Sequence, residues 1–310
     1  MTAAQPPSEP SGIAARQNEP YALDLLDAYS HRYETAARWR RASMLGSYGL
    51  ALVSPVLSTA WPNRAQLIGA VAALWLVLGR ALLAWLDDSY CARAAGIQEV
   101  LDTHLFRLPW NEALAGRKDR VQEDIAELAP HRHRPNHRNW YDTDDMIPRT
   151  ADVLLCQLQS VAWGRRNHRA YMSCLLAAAG FLLVFDTAWG VARHMSLYDF
   201  LVTLFLPTAP ALLDLVQLIR GHWEHGENKG RVEDNIRSLL KLFEDGEGDT
   251  VAPDACRRVQ DAIYQLRRTG PRIPARFYRN RRRRDQGVIS DGVADVRERI
   301  RAATTASRTD

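Results

Sequence analysis

Apolar residues in this 310-residue chain gather in four stretches, at roughly 42 to 60, 67 to 86, 171 to 192 and 199 to 219. Each is close to the roughly 20 residues that a helix needs to cross about 30 Å of hydrocarbon. The second, LIGAVAALWLVLGRALLAWL, is the clearest. The connections WPNRAQ (61 to 66) and RHMSLY (193 to 198) are too short to do more than turn the chain back. The pattern therefore predicts an all-α integral membrane protein: four transmembrane helices as two hairpins, 42–86 and 171–219, with helical cytoplasmic extensions.

The polar segments fill in this layout. Residues 1–19 are rich in Pro, Ser, Gln and Ala without apolar periodicity, so disorder is expected there. Over 20–41, Leu23, Leu26, Tyr29, Tyr33 and Ala37 recur at helical spacing and predict an amphipathic cytoplasmic helix. The cytoplasmic middle region, 87–170, continues the helix of the second span until Pro109 removes a backbone donor. Asp119 is placed to cap DRVQEDIAELA, with Gln122 at the capping-box position. A helix resumes near Arg149 and runs into the third span. In 220–285, two further helices are expected at 228–244 and 253–268, divided by DGEGDT and followed by an Arg-rich segment. The remainder, 286–310, reads as a charged tail with a helical segment near 291–303.

A soluble bundle with apolar buried helices is the competing reading, and the mean hydropathy of −0.30 gives it support. Charge placement argues against it. Arg32, Arg38, Arg40 and Arg41 precede the first stretch, Arg165, Arg166 and Arg169 precede the third, and Arg220, Lys229, Arg231 and Arg237 follow the fourth. The two turns offer only Arg64 and Arg193. By the positive-inside rule both termini and the middle region of this multi-pass protein are cytoplasmic. MTAAQPPSEPSG has no basic region followed by an apolar core, so the first span is expected to direct insertion. The four cysteines, at 91, 156, 174 and 256, have no paired or metal-like spacing, and no disulfide is expected.

No HExxH, Walker loop, GxGxxG or GxSxG occurs. A membrane enzyme would have to draw on His131, His133, His137, Asp144 and Asp145, which form no convincing acid, base and nucleophile set. The interleaved arginines also disfavour a cation among those histidines, so neither metal nor cofactor is expected. The loop ending in Trp140 and Tyr141 has two readings. Arg132, Arg134, His137 and Arg138 supply donors for phosphate and the aromatic faces stack on bases, which suits a nucleotide; alternatively, Trp140 and Tyr141 simply anchor the loop. Nine arginines fall between Arg267 and Arg284. The run Arg281, Arg282, Arg283 and Arg284 is read as contacting lipid headgroups, with nucleic acid disfavoured because the chain is already at a membrane.

Ionisable groups within spans are costly and therefore informative. Arg80 and Asp214 lie at similar depth, roughly 8 to 9 Å from the cytoplasmic ends of the second and fourth spans, and are expected to pair. Asp186 lies near the outer end of the third, within reach of Arg193. Pro55, Pro207 and Pro210 are expected to kink their helices.

The order of elements, with several short strings, resembles the SMODS-associating four-transmembrane effector family. The strings are Gln17-Asn18 followed by Leu26, Ala28, Tyr33, Ala36 and Ala37; Leu101-Asp102-Thr103 with Phe106, Leu108, Pro109, Trp110 and Asn111; Trp140-Tyr141; Pro148 with Cys156-Gln157; Pro207 with Pro210; and Arg267 with Pro271, Pro274, Phe277 and Tyr278. The resemblance covers about residues 12 to 285. It implies a non-enzymatic antiphage effector that disrupts the inner membrane in response to a cyclic oligonucleotide made by a partner nucleotidyltransferase. It also implies an oligomer, since four spans cannot enclose a wide pore. The chain departs from the family pattern at Leu158-Gln159-Ser160 and Trp163-Gly164, where Asn and an aromatic-Asp pair are expected. The alternative is a membrane-anchored scaffold whose basic part recruits a nucleic acid or protein.

Overall fold

A computed structural model describes residues 12–128 and 137–306. Its described residues are helical, without a strand. In chain order the helices are α1 (Ile13–Arg16), α2 (Pro20–Ala60), α3 (Ala65–Leu78), α4 (Ala84–Phe106), α5 (Glu112–Ala115), α6 (Lys118–Ala126), α7 (Arg149–Ala192), α8 (Leu197–Phe200), α9 (Leu206–Glu244), α10 (Ala255–Thr269) and α11 (Ala275–Ala306).

The main core lies where the expected cytoplasmic segments meet. Leu25 and Leu26 of α2, Ile97, Leu101 and Leu105 of α4, Leu154, Leu155 and Leu158 of α7, and Ile236 of α9 are all fully buried. In α4 a spacing of four, and in α7 spacings of three and four to Leu158, keep these residues on one helix face, and removing that area from water is the main stabilising term. A smaller cluster of Leu175, Leu182 and Leu215, with Tyr48 packed on it, joins α7 to α9 and α2 within the expected hairpins.

Large exposed apolar side chains have a different distribution. They crowd positions 45 to 85 (Leu45, Val53, Leu67, Leu74, Val77, Trp85) and 176 to 216 (Phe181, Val184, Val191, Leu197, Leu206, Leu213). Among the described residues between 86 and 175, only Met146 belongs with them. Apolar surface of that extent marks a partner or a membrane. Among the described residues, α7 alone is long and apolar enough to span a bilayer. Leu197–Ala209 with Ala211–Glu244 would make a second, despite a bend of 43°. The expected second span is divided by a π-helical turn at Gly79–Leu83, which leaves α3 only 14 residues long. A second π-helical turn, Leu201–Phe205, precedes Pro207.

Four expectations are corrected. Order begins by residue 12 rather than 20: Arg16 donates to the Leu105 carbonyl at 2.6 and 3.0 Å and is buried, a polar anchor that apolar periodicity does not register. Residues 228–244 are not a separate helix but the end of the 39-residue α9. Its glycines do not break it because Gly226 packs on His168 and Arg169, and Gly230 on Arg165, where α9 meets α7 closely. The helical segment expected near 291–303 is part of a longer helix, since α11 begins at Ala275 within the Arg-rich segment, runs to Ala306 and buries Val293, Val296 and Ile300 at i, i+3 and i+7. Asp119 does not cap α6; it lies inside the helix and pairs with Arg117.

Candidate functional site

The loop that precedes α7 is clamped by the short N-terminal segment. Gln17 exchanges two hydrogen bonds with the Tyr141 backbone, accepting from its N–H at 2.8 Å and donating to its carbonyl at 3.1 Å. The Asn18 side chain donates to that of Asn139 at 2.9 Å and accepts from the Asn139 N–H at 3.1 Å. Asn139 has a φ of 51°, a left-handed conformation that Asn tolerates better than most residues. This turn presents Trp140 to a cleft of about 190 Å³. Trp163 and Gly164 of α7, Lys229 of α9, Ile263 and Arg267 of α10, and Gln98 of α4 complete most of its lining.

Beneath the cleft is a buried polar network. Arg267 forms an ion pair with Asp102 and donates to Ser160 Oγ at 2.8 Å. Tyr141 donates its hydroxyl to Asp102 at 3.3 Å, and Gln260 donates to Asp102 and Glu99 at 3.0 and 2.8 Å. Glu99 also accepts from Arg257 at 2.6 Å. Although burial opposes it, Asp102 holds the Arg267 guanidinium above its ordinary range; burial carries the Tyr141 phenol well above its own. These groups are mutually satisfied, so Arg267 contributes little uncompensated charge.

Lys229 differs. It is 8% exposed and has no hydrogen bond or ion pair with any described residue. Glu233, one turn along, is taken by Arg165 at 2.7 Å and Arg237 at 3.0 Å. Burial, helped by Arg267 and Arg272 nearby, pulls the Lys229 amine down to about 7. Below it stand three buried histidines. His168 Nδ1 and His222 Nδ1 are 2.8 Å apart, and the rings of His168 and His225 lie 4.5 Å apart between centroids. Burial lowers all three, His222 to about 4 and His225 to about 3, so they stand neutral. Among the described residues no group of three His, Cys, Asp or Glu is placed to hold a metal ion.

The residues singled out in the sequence are partly brought together. Trp140 and Tyr141 line the cleft. His137 faces Asp27 instead, at 2.9 Å, and Arg138 is exposed outside the lining. Arg132 and Arg134 fall outside the described residues. Arg80 sits in the π-helical turn with its side chain outside the description, while Asp214 is half-buried near Tyr48. Asp186 is buried and accepts from Thr208 Oγ1 at 2.7 Å rather than from Arg193. Arg281 lies over the Phe277 ring at 5.9 Å; the side chains of Arg282, Arg283 and Arg284 are outside the description.

Sequence reasoning took Lys229 only as a flanking charge and did not join Trp163 or Arg267 to the loop. A signal was available: Lys229, Val232, Ile236, Leu240 and Phe243 form one stripe, and a lysine in an apolar stripe is out of place.

The family model described as the SMODS-associating 4TM effector domain matches residues 11–296. The chain belongs to this family. Within the SMODS-associating 4TM effectors, the match takes in the N-terminal clamp, the cleft and both apolar pairs. Over 265 residues, 82% of this chain and 87% of the relative, the chain is 23% identical to a probable CBASS effector molecule of Bacillus cereus (strain VD146). No solved structure matches it.

Proposed function

We propose that this protein is an inner-membrane effector of a bacterial antiphage system, and that it permeabilises the membrane in response to a cyclic oligonucleotide made by a partner nucleotidyltransferase. In this reading the chain crosses the bilayer four times as two hairpins, keeps both termini in the cytoplasm, and acts as a homo-oligomer without enzymatic activity. The observation that carries it is helix continuity. α7 supplies Trp163 and Gly164 to the cleft and, in the same helix, the exposed Phe181, Val184 and Val191. α9 supplies Lys229 and the exposed Leu206, Leu213 and Val216. A ligand that binds one packing of α7 on α9 more tightly than another shifts the hairpin between them. Membership of an effector family and likeness to a probable CBASS effector agree with this reading.

Expression in cells loaded with a voltage-sensitive dye tests it, with an active or a catalytically inactive partner nucleotidyltransferase. Depolarisation only with the active partner is the expected result. No change with either would replace the effector by a membrane-anchored scaffold that recruits a partner through its basic segments.

A further inference from the structure

Two cations line the cleft among the described residues, and only one has a counter-charge. Arg267 is matched by Asp102, whereas Lys229 is more than nine-tenths buried, lines the cleft and has no partner among the described residues. A buried ammonium without a counter-ion is costly, and an arriving anion offsets that cost. The wall beside it is aromatic, formed by Trp140 and Trp163. Two side-chain amides complete it. Gln98 accepts from the Tyr33 hydroxyl at 3.4 Å and Gln159 from the Asp142 N–H at 3.3 Å, which leaves their NH₂ groups as donors. An anion site, a stacking surface and amide donors within 190 Å³ match a phosphate joined to a base.

We propose that this cleft binds one nucleotide unit of the signal molecule, with a phosphodiester oxygen on Lys229, the base against the Trp140 and Trp163 indoles, and Gln98 and Gln159 at the base edge. The proposal rests on the reading that the signal is a cyclic oligonucleotide. The cleft is smaller than the roughly 300 to 1,000 Å³ of pockets that enclose a whole ligand. One corner of the ring therefore enters, and the remaining units stay outside.

Lys229 also connects the cleft to the hairpin. It faces His168 of α7, His225 of its own helix, Arg267 of α10 and Arg272 beyond α10, all cationic or able to become so. A phosphate there neutralises the ammonium and draws a proton onto it, so binding takes up protons above neutral pH.

The test uses the full chain in lipid nanodiscs, titrated calorimetrically with a panel of 3′,5′-linked cyclic di- and trinucleotides covering the four bases. At least one is expected to bind saturably, with affinity falling about ten-fold per pH unit from pH 7 to 9. Lys229→Met should weaken it about 30-fold or more, at unchanged melting temperature or above it, and Trp163→Leu about 10-fold, with Lys229→Arg between. Lys229→Met removes an unpaired buried charge, so it is not expected to unfold the protein. Absence of binding across the panel, wild-type affinity in both Lys229→Met and Trp163→Leu, or full competition by millimolar inorganic phosphate overturns the proposal. Triggered depolarisation that survives these variants sinks the site and leaves the effector reading intact; binding through Lys229 without depolarisation does the reverse.

Discussion

The Lys229 side chain lies across Gly164, so close that a Cβ at position 164 would meet Nζ at 2.7 Å and Cε at 2.8 Å. The obstructing atoms are the free end of a flexible side chain rather than backbone. Gly164→Ala is therefore expected to swing the ammonium aside and to stabilise α7 by up to about 1 kcal/mol through helix propensity. Thermal melts read the stability, and the dye assay should show a weakened response to the active nucleotidyltransferase. A melting temperature several degrees lower would mean that Lys229 is held more firmly than its missing partners imply.

Asp102 and Arg267 should behave as a unit. Asp102→Leu strands a buried guanidinium and is expected to cost about 3 to 5 kcal/mol. The double variant Asp102→Leu with Arg267→Met removes both charges and should recover most of that loss. Denaturant titration of the four proteins closes the cycle; additive losses would show that the two do not interact.

Stability should depend on pH in two separate windows. The Lys229 amine titrates near 7 in the fold against 10.5 for an ordinary lysine. Between those values the unfolded chain holds a proton that the folded chain lacks, so stability rises with pH, by at most about 1.4 kcal/mol per unit. His222 and His225, brought down to about 4 and 3 from 6.5, produce a second rise from about pH 4 to 6.5 by the same reasoning. Melting curves of Lys229→Met should lose the upper window and keep the lower one. If both windows vanish together, the titrating group lies elsewhere.

Asp186 is buried with Oδ1 unpartnered, and its other oxygen accepts from Thr208. The Thr208 hydroxyl has alternatives in the Leu204 and Phe205 carbonyls, both at 3.1 Å. Asp186→Leu should therefore raise the melting temperature by removing an orphaned carboxylate from apolar surroundings. Reduced triggered depolarisation in the same variant would identify Asp186 as functional. A lower melting temperature would mean that the carboxylate stabilises the hairpin.

The two-hairpin topology makes its own prediction. In a background with Cys174→Ser, Arg193→Cys in the second turn should react with a membrane-impermeant maleimide on spheroplasts. Asp249→Cys, between α9 and α10, should react only after lysis. Equal labelling at both positions on intact spheroplasts would remove the proposed topology.

Helix order and the main breaks were readable because they depend on local rules. The periodicity places the start of α7 at Arg149 and the end of α4 before Pro109, where the structure has them. The resemblance pointed to the family that the comparison shows. The cleft was only half readable, since Trp140 and Tyr141 are adjacent in sequence while Trp163, Lys229 and Arg267 reach them only through tertiary packing. α9 was misread as broken for a related reason. Gly226 and Gly230 look like breakers until α7 lies against them, and intrinsic propensity then yields to packing. The burial of Arg16 depends on one carbonyl 89 residues away, which no local pattern contains.

α7 carries no loop between Gly164 and Asp186, a stretch of about 33 Å at 1.5 Å per residue. It is a lever rather than a tether. A tilt of about 5° pivoting at the cleft displaces the Asp186 level by about 3 Å, roughly the width of a methyl group. Occupancy of so small a cleft can therefore be felt across most of a bilayer's thickness without any residue in between changing its conformation.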